Sequence, residues 1–347
     1  MPFASTYRTA MSTIELLDCT LRDGAYAVNF QFDEEFVTQL LARLNDTPVS
    51  KIEIGHGIGL EAERAGITAC NIDPFRWGEI ANATLTTKPW GMFAQPGFTR
   101  LATVAALSDR GMSFVRIGMQ PEQVAENLDY IRAASEVCGQ VYINLMKSSA
   151  TPVHQLPSML EGVGSEVTGV YIVDSYGSML PADVHRYVST VADFFPVVGF
   201  HGHDNLGMAN INTITALQAG ASVADGTLNG IGRGSGNAAI EALAGIIKIL
   251  EADRFDYQEL ARLAEYCRVN MEIIAEDRAM HVLGGVIGIH SGYFPLVERL
   301  SAQHGTDSAR LMEVAVRMAE HSPGEADFHA AAAWIDENAA IRLEDVQ

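Results

Sequence analysis

Eight short apolar runs, each followed by a stretch with helical spacing, predict an α/β chain whose parallel strands close into a TIM (β/α)8 barrel. A small all-helical C-terminal domain is expected to follow it. Two more observations favour a closed barrel over an open doubly wound sheet. No G-x-G-x-x-G follows the first run, and polar residues gather after many runs rather than at one reversal point. At 347 residues the chain exceeds the about 250 residues of an ordinary barrel. The excess fits an appendage better than a second equal domain.

The strands are expected at residues 14–19, 51–55, 89–94, 113–118, 140–146, 168–174, 197–202 and 222–227, all rich in Val, Ile and aromatics. Between them apolar residues recur at helical spacing over Glu34–Leu44, Thr103–Leu107, Gln123–Val137 and Asn210–Ala219. After Ile240–Glu251 the alternation stops. Helices are expected over Tyr257–Asn270 and Met271–Arg278, then a Gly-rich stretch, Gly284–Gly288, then helices over Phe294–Gln303, Ser308–Ala319 and Ala326–Asn338. The chain thus divides into a disordered lead-in (1–13), a barrel (14–275) and a helical domain (276–347).

An apolar content of 48% is ample for a large core, and a net charge of −20 weighs against nucleic acid or an anionic membrane as partner. Cys19, Cys70, Cys138 and Cys267 are far apart and form no C-x-x-C, which argues against a disulfide framework and points to a reducing cytoplasm. No apolar stretch reaches the roughly 18 residues that span a bilayer. The opening residues also lack the order of a secretory signal.

Function in a barrel sits where strands end. The run Val197–Asn205 ends its strand in His201-Gly-His203, and side chains two apart on a strand share a face. Two imidazoles side by side suit Zn, Mn, Fe or Co, although they could equally hydrogen-bond in a polar loop. The first strand ends in Arg22-Asp23-Gly24. Asp23 with His201 and His203 makes a two-histidine, one-carboxylate set with positions open for substrate; the plain alternative for Arg22–Asp23 is a surface ion pair of little worth. The glycine-rich loop Gly230–Asn237 follows the last strand and lets backbone approach a ligand, or simply turns tightly. Asn237 is a candidate fourth ligand. Ser175, after Asp174 at the end of the sixth strand, is a candidate donor to a substrate carboxylate, or the pair is an ordinary helix cap.

The segments LDCTLRDG (17–24), GFHGHDNLG (199–207) and GRGSGN (232–237) together resemble the metal-dependent lyase superfamily of barrel enzymes that includes hydroxymethylglutaryl-CoA lyase and the isopropylmalate and homocitrate synthases. Within it the chain is most similar to the 4-hydroxy-2-oxovalerate aldolases, with supporting likeness at IEIGHGIGL (52–60), VYIVDS (170–175) and the run from Gly292-Tyr293 to Arg317-Met318. The resemblance implies that Asp23, His201 and His203 hold a divalent metal, Mn²⁺ first, with Mg²⁺, Co²⁺ or Zn²⁺ as alternatives. It implies that Arg22 stabilises the oxygen of a pyruvate enolate, and that Tyr293 reaches the site from the C-terminal segment. A second fixed cation beside a Lewis-acidic ion suits that charge.

The resembled aldolases carry a histidine base two residues after R-D-G, where this chain has Tyr26. An unperturbed tyrosine, with pKa about 10 against about 6.5 for histidine, is ionised about once in a thousand at pH 7, a cost of roughly 4 kcal/mol. His56, at the end of the second strand, is the alternative base; for His290, beside Tyr293, a packed or solvated role is expected. The leading expectation is a metal-dependent carbon–carbon lyase (a class II pyruvate aldolase) cleaving or forming a 4-hydroxy-2-oxo acid from pyruvate and an aldehyde. The alternatives are an acetyl-CoA-dependent Claisen-type synthase and a weakly catalytic metal-binding partner of an acylating aldehyde dehydrogenase. A homo- or hetero-oligomer is expected.

Overall fold

The computed structural model describes residues 14–250, 254–273 and 278–338. The lead-in at 1–13 and the domain boundary at 275–276 lie outside these residues. Eight strands, β1 Glu15–Asp18, β2 Lys51–Glu53, β3 Trp90–Ala94, β4 Phe114–Met119, β5 Gln140–Leu145, β6 Gly169–Asp174, β7 Val198–Gly202 and β8 Val223–Gly226, form one closed parallel barrel in chain order. Closure is made by β1 on β8, with Glu15 opposite Val223 and Asp18 opposite Gly226.

Helices α1 Glu34–Asn45, α2 Pro74–Thr84, α3 Leu101–Ser108, α4 Leu128–Val137, the one-turn α5 Leu156–Met159, α6 Pro181–Ala192, α7 Ala209–Gln218 and α8 Ile240–Ile249 connect or follow the strands. Helix α1 shows why they form where they do. The Asp33 carboxylate accepts from the Phe36 N–H and caps the first turn. The helix then buries Phe36, Val37, Leu40, Leu41 and Leu44, one stripe at helical spacing, against the barrel. The helix expected over Gln123–Val137 begins only at Leu128, because Pro121–Gln123 and Ala125–Asn127 turn as separate 3₁₀ segments.

Inside the barrel, Leu17, Phe114, Tyr142, Tyr171 and Val223 pack as the apolar floor. Gly199 makes room for it: a Cβ there would lie 2.2 Å from the Tyr171 ring. Two residues on, the same inward face carries His201. The floor therefore lifts the polar groups of the strands to the end of the barrel where β7 and its neighbours stop.

Beyond α9 Tyr257–Asn270 come α10 Arg278–Ile287, α11 Phe294–His304, α12 Ser308–Met318 and α13 Glu325–Glu337. Their buried residues, Val297, Leu311 and Phe328 among them, form a core separate from the barrel's. Two expectations are corrected here. Met271–Ile273 is not helical, and the Gly284–Gly288 stretch lies largely within α10 rather than outside a helix. Its glycines serve close packing: a Cβ on Gly284 would lie 2.6 Å from the Phe294 ring, and one on Gly285 2.9 Å from the Asn205 Cβ. The segment is seated on the barrel mouth by Asn205, whose Nδ2 donates to the His281 carbonyl at 3.0 Å, and by Tyr176, whose hydroxyl meets that of Ser322 at 2.6 Å. Among the described residues no single helix is long and apolar enough to cross a membrane.

Candidate active site

At the C-terminal end of the strands six charged or titratable side chains close a ring. The Arg22 guanidinium donates to Asp23 at 2.8 Å and to Glu53 at 2.6 Å. Glu53 in turn accepts from Arg116 at 2.7 Å, and Arg116 also pairs with Asp225. The Asp225 carboxylate meets His201 Nδ1 at 2.9 Å, and His201 Nε2 returns to Asp23 Oδ2 at 3.4 Å. All six are buried. Buried charges persist only when paired and hydrogen-bonded, and here each charge has at least one opposite neighbour.

The strands set this arrangement. Arg22 and Asp23 leave β1 in a 3₁₀ turn over Asp23–Val28. Glu53, Arg116, His201 and Asp225 are buried residues of β2, β4, β7 and β8. His203 follows His201, the two rings lying 5.2 Å apart, edge to face. Its Nδ1 faces the Gly236 carbonyl at 3.3 Å, and an isolated bridge between His203 and Asn237 ties the glycine loop to β7.

The electrostatics follow from burial opposed by neighbours. Burial alone would push the Asp23 carboxyl up, but Arg22 and the two imidazoles hold it well below the usual carboxylate range. Glu53 is lowered to about 2, burial being outweighed by Arg116 and Arg22. Burial pulls His201 down, yet Asp225 and Asp23 keep it above the ordinary histidine value. His203 lies well below it, through burial and the nearby Arg233 guanidinium.

These residues fit a divalent cation. The ligand atoms of Asp23, His201 and His203 lie within 4.8 Å of one another. A proton on His201 Nδ1 directed at Asp225 leaves the Nε2 lone pair toward Asp23, the carboxylate–histidine arrangement that orients a metal ligand. Asn237 donates from Nδ2 to Asp23, while its buried Oδ1 has no hydrogen-bond partner. An orphaned oxygen beside converging imidazoles and a carboxylate is the donor chemistry of Mn²⁺, Zn²⁺ or Co²⁺. A second grouping, Cys19 with His201 and Asp225, fits less well. Burial pushes the Cys19 thiol well up, and Asp225 is already committed to Arg116 and His201.

The structure brings Arg22, Asp23, Tyr26, Ser175, His201 and His203 to one small cavity, with Asn237 beside it. The Arg22–Asp23 pair is thus buried rather than a surface pair. Ser175 Oγ accepts from the Lys147 N–H at 2.8 Å, which leaves its own proton free for a ligand; Asp174 instead accepts from the Ser178 and Met179 N–H groups and shapes the turn. Tyr26 lines the cavity, but burial pushes its hydroxyl up to about 12.

Two expected residues stand elsewhere. His56 Nδ1 accepts from the Ile58 N–H at 3.1 Å, its Nε2 meets the Thr68 carbonyl at 2.8 Å, and its ring stacks on Phe30. It faces a different hollow. Tyr293 packs on Phe328 in the C-terminal core and does not line this cavity. Conversely His290, expected to be merely packed or solvated, does line it. Glu53, Arg116, Asp225 and Arg233 were not singled out from sequence. The first three carry a usable signal: each is a charge inside an apolar run expected to be buried on both faces, which requires partners of opposite sign.

A family model described as HMGL-like matches residues 13–267. The oxaloacetate decarboxylase of Mycobacterium tuberculosis is 36% identical over 239 residues, covering 67% of this chain and 69% of its own. The 4-hydroxy-2-oxovalerate aldolase of Spirochaeta aurantia is 31% identical over 303 residues, covering 85% and 88%. Among solved structures, the N-terminal domain of a putative aldolase from Bacteroides vulgatus superposes with a TM-score of 0.71 at 22% identity, covering 83% of this chain and 97% of that one. This last likeness concerns the fold alone.

Proposed function

The chain belongs to the HMGL-like family, and from that premise we propose that it is a divalent-metal-dependent aldolase that cleaves or forms a 4-hydroxy-2-oxo acid through a pyruvate enolate. Lyase chemistry at a carbon–carbon bond is common to its aldolase and decarboxylase relatives. The observation that carries the reading is the convergence of Asp23, His201 and His203 beside a guanidinium in a small cavity of about 70 Å³.

Asp23, His201 and His203 would hold the metal, with Asn237 Oδ1 within the same cluster. When bound, a divalent ion supplies Lewis acidity toward the carboxylate and keto oxygens of a 2-oxo acid. Arg22 is fixed through Nε and Nη1 by Glu53 and Asp23, which leaves Nη2 to donate to the oxygen that gains charge as the enolate forms. Because the ring holds Arg22 before substrate arrives, no reorganisation is needed during the reaction. Ser175 Oγ–H is placed to donate to the substrate carboxylate.

In cleavage the C3–C4 bond breaks, its electron pair enters the enolate, and the C4 hydroxyl proton must leave. Tyr26, with its hydroxyl near 12, is a poor acceptor of that proton but a competent donor to a C4 alkoxide in the condensing direction. On the likeness to the 4-hydroxy-2-oxovalerate aldolases, the ion would be Mn²⁺ first, with Mg²⁺, Co²⁺ or Zn²⁺ as alternatives, and the C-terminal helices would be the docking face for an acylating aldehyde dehydrogenase.

The weakness of Tyr26 as a base favours a second reading, decarboxylation of a 2-oxo diacid such as oxaloacetate. That reaction forms the same enolate and has no hydroxyl proton to remove. The test is to supply 4-hydroxy-2-oxopentanoate and oxaloacetate separately to the Mn²⁺-loaded protein and follow pyruvate with lactate dehydrogenase. Pyruvate with an aldehyde supports the aldolase, pyruvate with CO₂ above the metal-only rate supports the decarboxylase, and neither product defeats both.

A further inference from the structure

Arg22 and Arg116 are matched by carboxylates, but Arg233 has no carboxylate among its hydrogen-bond partners within the described residues. Its guanidinium donates to the Ser175 carbonyl at 3.0 Å and the Ser291 hydroxyl at 2.9 Å, and it meets the imidazoles of His290 and of His203, the latter at 3.2 Å. A half-buried guanidinium with no carboxylate among its hydrogen-bond partners is costly, and a ligand carboxylate would relieve that cost.

Geometry gives the place such a carboxylate would take. The inner cavity of about 70 Å³ is lined by Arg22, Asp23, Ser175 and both imidazoles. A larger outer cavity of about 290 Å³ lies under the C-terminal segment, walled by Met280, His281, Phe294, Pro295 and Glu298. Tyr26 and Arg233 line both, so they form the neck between them. Whatever extends from C3 of a bound 2-oxo acid toward the outer cavity passes Arg233.

We propose that Arg233 is a specificity-determining residue that binds a second, distal carboxylate, so that the substrates are 2-oxo diacids rather than 2-oxo monoacids. The proposal rests on the pyruvate-enolate reading for which end of the substrate lies inside. The fork of a guanidinium suits a carboxylate, and its other contacts, to Ser175, Ser291 and His290, keep it aimed at the neck.

The test uses two unreactive ligands that differ only at the far end, 2-oxoglutarate and 2-oxopentanoate, titrated calorimetrically into the full-length protein loaded with Mn²⁺. The expected result is tighter binding of 2-oxoglutarate by about 10- to 100-fold, the range of one charge-assisted hydrogen-bonded pair. In Arg233→Met the ratio should fall to near one, and in Arg233→Lys to an intermediate value. Equal affinities for the unsubstituted protein, or no measurable binding of 2-oxoglutarate, overturn the proposal without any variant having to fold. A ratio that survives in Arg233→Met overturns it too, as does a loss of affinity equal for both ligands, which would place Arg233 at the inner carboxylate. Deuterium exchange into pyruvate by the unsubstituted protein reports the enolate reading separately, so failure of one is distinguishable from failure of the other.

Discussion

Replacing Glu53 by Gln removes one charge from the centre of the buried ring while conserving volume. Glu53 is fully buried and accepts from Arg22 at 2.6 Å and from Arg116 Nε at 2.7 Å. A glutamine keeps one acceptor but turns an amide N–H₂ toward a guanidinium. Breaking a buried ion pair from one side costs about 3–5 kcal/mol. The pKa gives a concordant figure: lowering from 4.5 to about 2 corresponds to about 3 kcal/mol. With unfolding entropy of about 2.1 cal/mol/K per residue over 347 residues, 3 kcal/mol lowers Tm by about 4 °C. The assay is urea unfolding of both proteins from pH 7 to pH 2. A carboxyl whose folded pKa is depressed contributes stability above its unfolded pKa of 4.5, and that contribution fades as pH falls toward about 2. The difference between the proteins should thus be full at pH 7 and pH 5 and nearly absent at pH 2. A difference below about 1 kcal/mol at pH 7, or one that does not change with pH, would refute the role given to the ring.

Asp225→Asn leaves His201 without its charged acceptor, and Mn²⁺ affinity by calorimetry should fall about 10- to 100-fold; unchanged affinity in a folded variant would remove Asp225 as the orienting group. Tyr26→Phe should retain pyruvate production within about tenfold, because a hydroxyl near 12 is a poor base, whereas a loss of about 100-fold or more would mark it as the general base. His56→Ala should retain turnover and lose about 1 kcal/mol of stability, since both its ring nitrogens are committed to the Thr68 carbonyl and the Ile58 N–H. A large loss of turnover at unchanged stability would return His56 to the site.

The barrel was legible in the sequence because its strands are buried on both faces and read as largely apolar runs, and each observed strand lies within two residues of its expected place. His201 and His203 were legible because a strand has a period of two, and Asp23 because it lies in the loop after the first strand. What sequence could not give was partnership across the barrel. Glu53, Arg116 and Asp225 lie on three different strands, and only closure of the sheet brings them within hydrogen-bond distance. His56 misled because a strand end was equated with the mouth of the barrel. The turn after β2 instead folds its ring outward onto Phe30. The place of His290 at the cavity, and that of Arg233, could not be read for the opposite reason: they meet only when the C-terminal segment is seated over the glycine loop.

Formation of a pyruvate enolate at the Asp23, His201 and His203 cluster is tested by incubation with pyruvate and Mn²⁺ in D₂O, read by mass spectrometry of the pyruvate, with no knowledge of the aldehyde or of the base acting at C4. Deuterium should enter C3 well above the Mn²⁺-only rate, stop with a chelator, and be absent from a folded Asp23→Asn variant. Pyruvate that stays undeuterated with the folded, Mn²⁺-loaded protein would contradict it.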